Sequence, residues 1–302
     1  MTDVNVLGLF PEPESQKIYS AAGINRIFST YTPSGGPGEL ELMKPVLLAL
    51  LIASTLVASA WAQLTTQQQA HAALARLDRA IALATPPARH YVERGDVYYQ
   101  LNDFYRAAED YSAALKLDDA QDRAYFGRGL AYGRMGLIDE GIADLNVYLV
   151  RHPMDSIAYT KRGVRNLWRG HLQEAERDLT RAVELDPNNA EAHDDLGVVH
   201  AKHQRLDIAA KHFSTAIELD PSYQKAYHNL AICYLMGGKP EPALKMVNAG
   251  LVLQADNRSS LILKAAILEA LGRGAEAKEI TSHAEFLPEG NWSERSAVGI
   301  KK

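Results

Sequence analysis

The chain of 302 residues carries 32 Lys+Arg against 37 Asp+Glu. That balance excludes a sequence-independent nucleic-acid binder, which needs a concentrated basic stripe to neutralise phosphates. Cys233 is the only cysteine, so the fold relies on no intramolecular disulfide and the residue reads as a small apolar packer.

Residues 1–42 contain PEPES and TPSGGPG and hold no sustained period of 2 or 3.6. They read either as translated upstream sequence, with Met43 the true start, or as a disordered tail. Residues 43–62 then open on Lys44, run apolar from Val46 to Ala58, and end with Ala60 and Ala62 ahead of Gln63. A charged head, an apolar run and an A-x-A end are the pattern of a secretory signal peptide. Cleavage near Ala62–Gln63 would release the mature chain to the periplasm. A spanning helix needs at least ~17 apolar residues, and Val46 to Ala62 only just reaches that limit. Retained, it would anchor the chain in the inner membrane, facing the periplasm. Membrane contact is expected only through 46–62, and only if the segment is uncleaved.

Residues 63–87 are expected to form a capping helix, with Ala73, Leu77 and Ala80 in the register of the units beyond Ala88. From Ala88 onward the chain repeats. Arg94-Gly95, Arg128-Gly129 and Arg162-Gly163 stand 34 residues apart. Continuing by the same step reaches Leu196-Gly197, Leu230-Ala231 and Lys264-Ala265.

Position 4 of each unit is Tyr91, Tyr125, Tyr159, His193, Tyr227 and Leu261. Position 11 carries Tyr98, Tyr132, Asn166, His200 and Tyr234. Position 20 is small, at Ala107, Gly141, Ala175, Ala209, Ala243 and Ala277. Position 24 is large in five units (Tyr111, Leu145, Leu179, Phe213, Val247) and Thr281 in the last. Position 27 is Ala114, Tyr148, Ala182 and Ala216, and proline stands at position 32 as Pro153, Pro187 and Pro221.

This period and pattern resemble the tetratricopeptide repeat. The resemblance implies an all-α fold, a right-handed superhelical solenoid of antiparallel helix pairs. Six repeats are expected, at 88–121, 122–155, 156–189, 190–223, 224–257 and 258–291, then a tail at 292–302. Small residues at positions 8 and 20 let the two backbones approach. Proline at 32 stops helix B, because it lacks an N–H and blocks the preceding turn.

The resemblance also implies that helix A lines a concave groove. The groove residues it implies are Arg89, Val92, Asp96, Tyr99, Arg123, Phe126, Leu130 and Arg134 in the first two repeats. Lys161, Val164 and Trp168 come from the third. Asp194, Asp195 and Val198 come from the fourth, and Lys225, His228, Asn229 and Ile232 from the fifth. Apolar rungs with alternating charge suit a protein or peptide partner, whose apolar side chains anchor while charges set register.

Arg94, Arg128 and Arg162 read as packing residues whose guanidinium finds a carboxylate or water, in preference to an anion-binding ladder. His193 and His200 stand where the repeat wants a flat ring, so core packing is expected and no metal site. No catalytic motif and no cofactor site is present in the sequence. The expected function is a non-enzymatic scaffold in the bacterial envelope. A membrane-anchored accessory subunit is the alternative, and a metal-binding or hydrolytic protein a remote one.

Overall fold

A computed structural model describes residues 67–83 and 85–288. The expectations for 1–42, 43–62 and 292–302, including an anchor at 46–62, fall outside those residues. The chain divides into two units, Met1–Arg76 and Leu77–Lys302. In the first, residues 67–76 are helical, and His71 Nδ1 lies 2.8 Å from the Gln67 carbonyl. Helical assignment covers 67–81, here α1.

Among the described residues from Ala88 onward, the second unit forms twelve helices in six pairs. They are α2 Ala88–Gln100 with α3 Phe104–Leu117, α4 Asp122–Met135 with α5 Ile138–Arg151, and α6 Ser156–Arg169 with α7 Leu172–Leu185. Next come α8 Ala190–Lys202 with α9 Leu206–Leu219, α10 Gln224–Met236 with α11 Pro240–Leu253, and α12 Arg258–Ala270 with α13 Gly274–Glu285. Among the described residues there is no strand, and no helix is long and apolar enough to cross a membrane.

The same local chemistry closes each pair. The turn between its helices places position 15 in the left-handed region, where L side chains crowd the following carbonyl. Glycine removes that conflict at Gly136 and Gly170, with φ of 81° and 80°. Asn102 and Gln204 adopt the same conformation, at 59° and 61°, without that relief. Helix B stops at position 30 in the first five pairs and at Glu285, position 28, in the last. The next N–H bonds back to position 27, as from Asp186 to Ala182 O at 2.9 Å. Asp186 and Asp220 are then extended, as a residue before proline prefers. Asp155, Asn189 and Asn257 cap the following helix by accepting from the N–H three residues on.

Packing follows the small positions. A Cβ on Gly141 would stand 2.9 Å from the Gly129 carbonyl, so this approach of backbones needs glycine at 141, and a Cβ on Gly129 would be tight at 3.2 Å from the Gly141 carbonyl. Tyr111, Leu145, Leu179, Phe213 and Val247 at position 24 are fully buried above and below such contacts. Truncating one, as in Phe213→Ala, costs about 3–5 kcal/mol by lost burial and the cavity left behind. Each first helix of a pair also touches the first helix of the next, α2 with α4 and onward to α10 with α12. The first helices therefore form the inner wall of the solenoid.

Candidate functional site

The inner wall opens into a cleft of about 560 Å³ between the first two pairs. Asp96, Tyr99 and Gln100 of α2 form one side. Arg123, Phe126 and Leu130 of α4 form the other, with Tyr148 of α5 and His152 just after it. Gly127 is needed here, because a Cβ on it would run into the Tyr111 ring. The apolar floor is aromatic. Phe126 meets Tyr148 with ring centroids 5.0 Å apart, and Tyr148 stacks on His152 at 4.4 Å. Tyr99 meets Phe104 edge-on at 5.3 Å.

The polar groups of the cleft are held in place. Tyr111 donates its hydroxyl to Asp96 Oδ1 at 2.8 Å, and Arg123 Nη2 lies 2.8 Å from Asp96 Oδ2. Burial pushes the Asp96 carboxyl above its ordinary range, with the Tyr111 hydrogen bond and the Arg123 charge opposing it. Asp122 accepts from Arg151 Nη1 at 2.6 Å and contacts His152 Nε2 at 2.8 Å. Tyr148 donates to Asp155 Oδ2 at 2.8 Å, and burial with that bond pushes its hydroxyl up to about 12.

Five of the residues expected in the groove meet in this cleft: Asp96, Tyr99, Arg123, Phe126 and Leu130. Arg89 and Arg134 are exposed but do not line it, Lys161 and Val164 are half-buried, and Trp168 is exposed. Tyr111, Asp122, Tyr148 and His152 also line the cleft but were not expected there. Tyr148 carried a signal. It is a large ring at position 27, where Ala114, Ala182 and Ala216 stand in other units.

The remaining groove expectations are corrected by burial. Val92, Val198 and Ile232 belong to the packed core. Asp194, Asp195, His228 and Asn229 are buried too, bonded among themselves and to neighbours, although Asp194 Oδ2 and Asn229 Oδ1 find no hydrogen-bond partner. Lys225 Nζ stands 2.9 Å from both Asp194 Oδ2 and Asp195 Oδ1, and its hydrogen-bond direction favours Asp195. Asn229 donates to Asp194 Oδ1 at 2.9 Å, and His228 Nδ1 lies 3.0 Å from Ser260 Oγ. Burial pushes Asp195 up to about 6 against the pull of Lys225. Burial would lower Lys225, but Asp194 and Asp195 hold it well above its ordinary value.

The position-7 arginines each find a carboxylate sixteen residues on, at Asp110, Asp144 and Asp178. The fourth unit replaces that arrangement with Leu196 and a histidine cluster. His193 Nε2 contacts the Pro187 carbonyl at 3.2 Å, and His193 Nδ1 contacts His212 Nδ1 at 3.1 Å. A carbonyl can only accept, so His193 carries its proton on Nε2 and His212 donates from Nδ1. His200 stacks on His212 at 5.3 Å. Among the described residues no three His, Cys, Asp or Glu are arranged to hold a metal ion. A more open hollow of about 680 Å³ lies on α7, lined only by polar and charged residues of that one helix.

Family models described as TPR repeat and tetratricopeptide repeat match residues 95–136, 160–223 and 201–267. The chain carries tetratricopeptide repeats. A tetratricopeptide repeat protein from Parabacteroides merdae has a similar structure, with 16% identity, a TM-score of 0.60, and coverage of 87% of this chain and 98% of that one. Pseudomonas aeruginosa pilF is similar at 16% identity and a TM-score of 0.56, over 64% of this chain and 88% of that one. At such identities the likeness is one of fold. YrrB, described as a TPR protein with an unusual peptide-binding site, is 27% identical over 61% of this chain and 95% of its own, with a TM-score of 0.49. No curated protein matches the chain. The cleft is thus set in the inner wall of a tetratricopeptide array.

Proposed function

We propose that the protein is a non-enzymatic scaffold that binds a protein or peptide partner in the cleft of its first two repeats. The observation that carries this is an aromatic and aliphatic floor, Tyr99, Phe126 and Leu130, open to solvent beside the arginine Arg123. Such a floor gives a partner side chain apolar area to bury, while a partly exposed arginine sets orientation. Repeat arrays use their concave side in this way, since it offers an extended surface on a rigid frame. The two carboxylates of the cleft, Asp96 and Asp122, are taken up in bonds within the protein.

The place of action we propose is the bacterial envelope, on the strength of the signal-like run from Met43 to Gln63. Affinity isolation from envelope fractions tests both parts. Wild type should retain a partner that a Phe126→Ala, Leu130→Ala double variant loses, with both proteins equally folded. Equal retention by the two would rule out the cleft as the binding site. An intact mass that begins at Gln63 supports export, and a mass retaining Met43 points to an anchor.

A further inference from the structure

We infer that the cleft selects an acidic short linear segment, with one large apolar side chain on the aromatic floor and a carboxylate beside it at Arg123. This rests on the reading of the cleft as a peptide site and adds the partner's chemistry. The carboxylates of the cleft are already engaged. Both oxygens of Asp96 are engaged, by Tyr111 and Arg123 at 2.8 Å each. Both oxygens of Asp122 are engaged as well, by Arg151 at 2.6 Å and His152 at 2.8 Å.

Donors are in excess. A guanidinium offers five N–H groups and accepts nothing. Arg123 exposes 74% of its side chain and meets Asp96 through Nη2. Arg89, at the same helix position one repeat earlier, is exposed. Arg134, one turn beyond Leu130, is exposed with its guanidinium 5.1 Å from the Phe104 ring, which itself meets Tyr99. With Arg123 set against Asp96 and Arg151 against Asp122, Arg89 and Arg134 stand against the exposed Glu93 on the same wall, which leaves one positive charge in excess. The excess of donors and positive charge favours a partner carboxylate, held by charge-assisted and bidentate bonds that arginine forms well.

The segment is short because the wall closes further along. Val198, Asp194, Asn229 and Ile232, which the register puts on that wall in the fourth and fifth repeats, are buried there. A cleft of about 560 Å³ holds one large side chain and its flanking residues.

The test is a random peptide library displayed on phage, selected on the purified protein and counter-selected on Phe126→Ala. Enriched peptides are then measured by fluorescence anisotropy. The expected motif is a Phe, Tyr, Trp or Leu with Asp or Glu within two positions. Arg123→Gln should weaken these peptides about tenfold, and added salt should weaken wild-type binding more than variant binding. A motif with Lys or Arg flanks, or with no charge preference, would overturn the acidic class and leave the peptide site standing. Enrichment of no peptide that depends on Phe126 would overturn both.

Discussion

Arg128 holds both oxygens of Asp144, through Nε at 2.7 Å and Nη2 at 2.8 Å. Its third contact, Nη1 to Ser112 Oγ at 3.0 Å, reaches the second helix of the previous repeat. Arg94 repeats this with Asp110 and Asp78, and Arg162 with Asp178 and Asn146. Each clamp thus joins the two helices of one repeat and ties them to the helix before. The guanidinium also lies near the rings at positions 4 and 11, as Arg128 does over Tyr125 and Tyr132.

Asp144→Ala should therefore cost about 3 kcal/mol, because it leaves a mostly buried guanidinium without its counter-charge. Arg128→Met combined with Asp144→Leu should recover most of that loss, since an apolar pair of similar volume avoids the desolvation penalty. Urea titration of the three proteins checks the order. Equal stability of the single and double variants would show that the clamp is not a coupled pair.

The inner wall of the fourth and fifth repeats depends on Lys225 in the same way. Its single positive charge faces two carboxylates, of which Asp194 is fully buried and Asp195 nearly so. Lys225→Met should destabilise by about 3–5 kcal/mol, the range for breaking a buried pair by removing one partner. Adding Asp195→Asn should restore part of it. Thermal melts at neutral pH read both changes.

Gln204 sits at φ 61°, where four of the other five repeats have glycine. Gln204→Gly should stabilise the array by about 1 kcal/mol, by removing the crowding of a side chain in left-handed backbone. Loss of stability would mean that the Gln204 side chain contributes more than its backbone strain takes away.

Acid should loosen the array. Burial, then the His200 and His193 charges, hold His212 at about 4, and burial holds His228 at about 4. An unfolded histidine titrates near ~6.5. Between those values the unfolded chain binds protons that the folded chain refuses. This contribution is therefore intact above pH ~6.5 and is lost as pH falls toward 4. The other groups acting on the histidine cluster are Arg205, His203 and Glu176, through His200. Asp195, raised to about 6, acts in the opposite sense over most of this window, from about pH 6 downward. The comparison must therefore be differential. His212→Asn should show a shallower loss of melting temperature from pH 7 to pH 4.5 than wild type. Parallel curves would remove His212 as an acid-sensitive group.

The repeat was legible because its causes are local. Gly129 and Gly141 meet backbone to backbone, Phe213 fills the corresponding layer of its own repeat, and Pro187 stops a helix. Each acts within one unit, so the 34-residue period displays it. The site was only half legible. The register of helix A placed Tyr99, Phe126 and Leu130 on the inner wall, where they lie. The same register placed Asp194 and Asn229 there, and these are buried. Their fate depends on Lys225, a full repeat away from Asp194 in sequence, and a one-unit pattern does not report how far that side chain reaches. Tyr148 and His152 come from a second helix and its cap, outside the positions that helix A supplies. The carboxylates at position 23 were likewise hidden, because the family pattern says nothing of that position.

The most direct measurement is site-specific photo-crosslinking in cells, with p-benzoylphenylalanine placed at Gln100 or Leu130 in the cleft. Control positions are Lys211 and Val252, both exposed and outside the cleft. The expected result is one discrete partner adduct from the two cleft positions, lost when Phe126→Ala is added, and none from the controls. Adducts from Lys211 or Val252 with none from the cleft would place the partner on another face and contradict the peptide-binding role of the first two repeats.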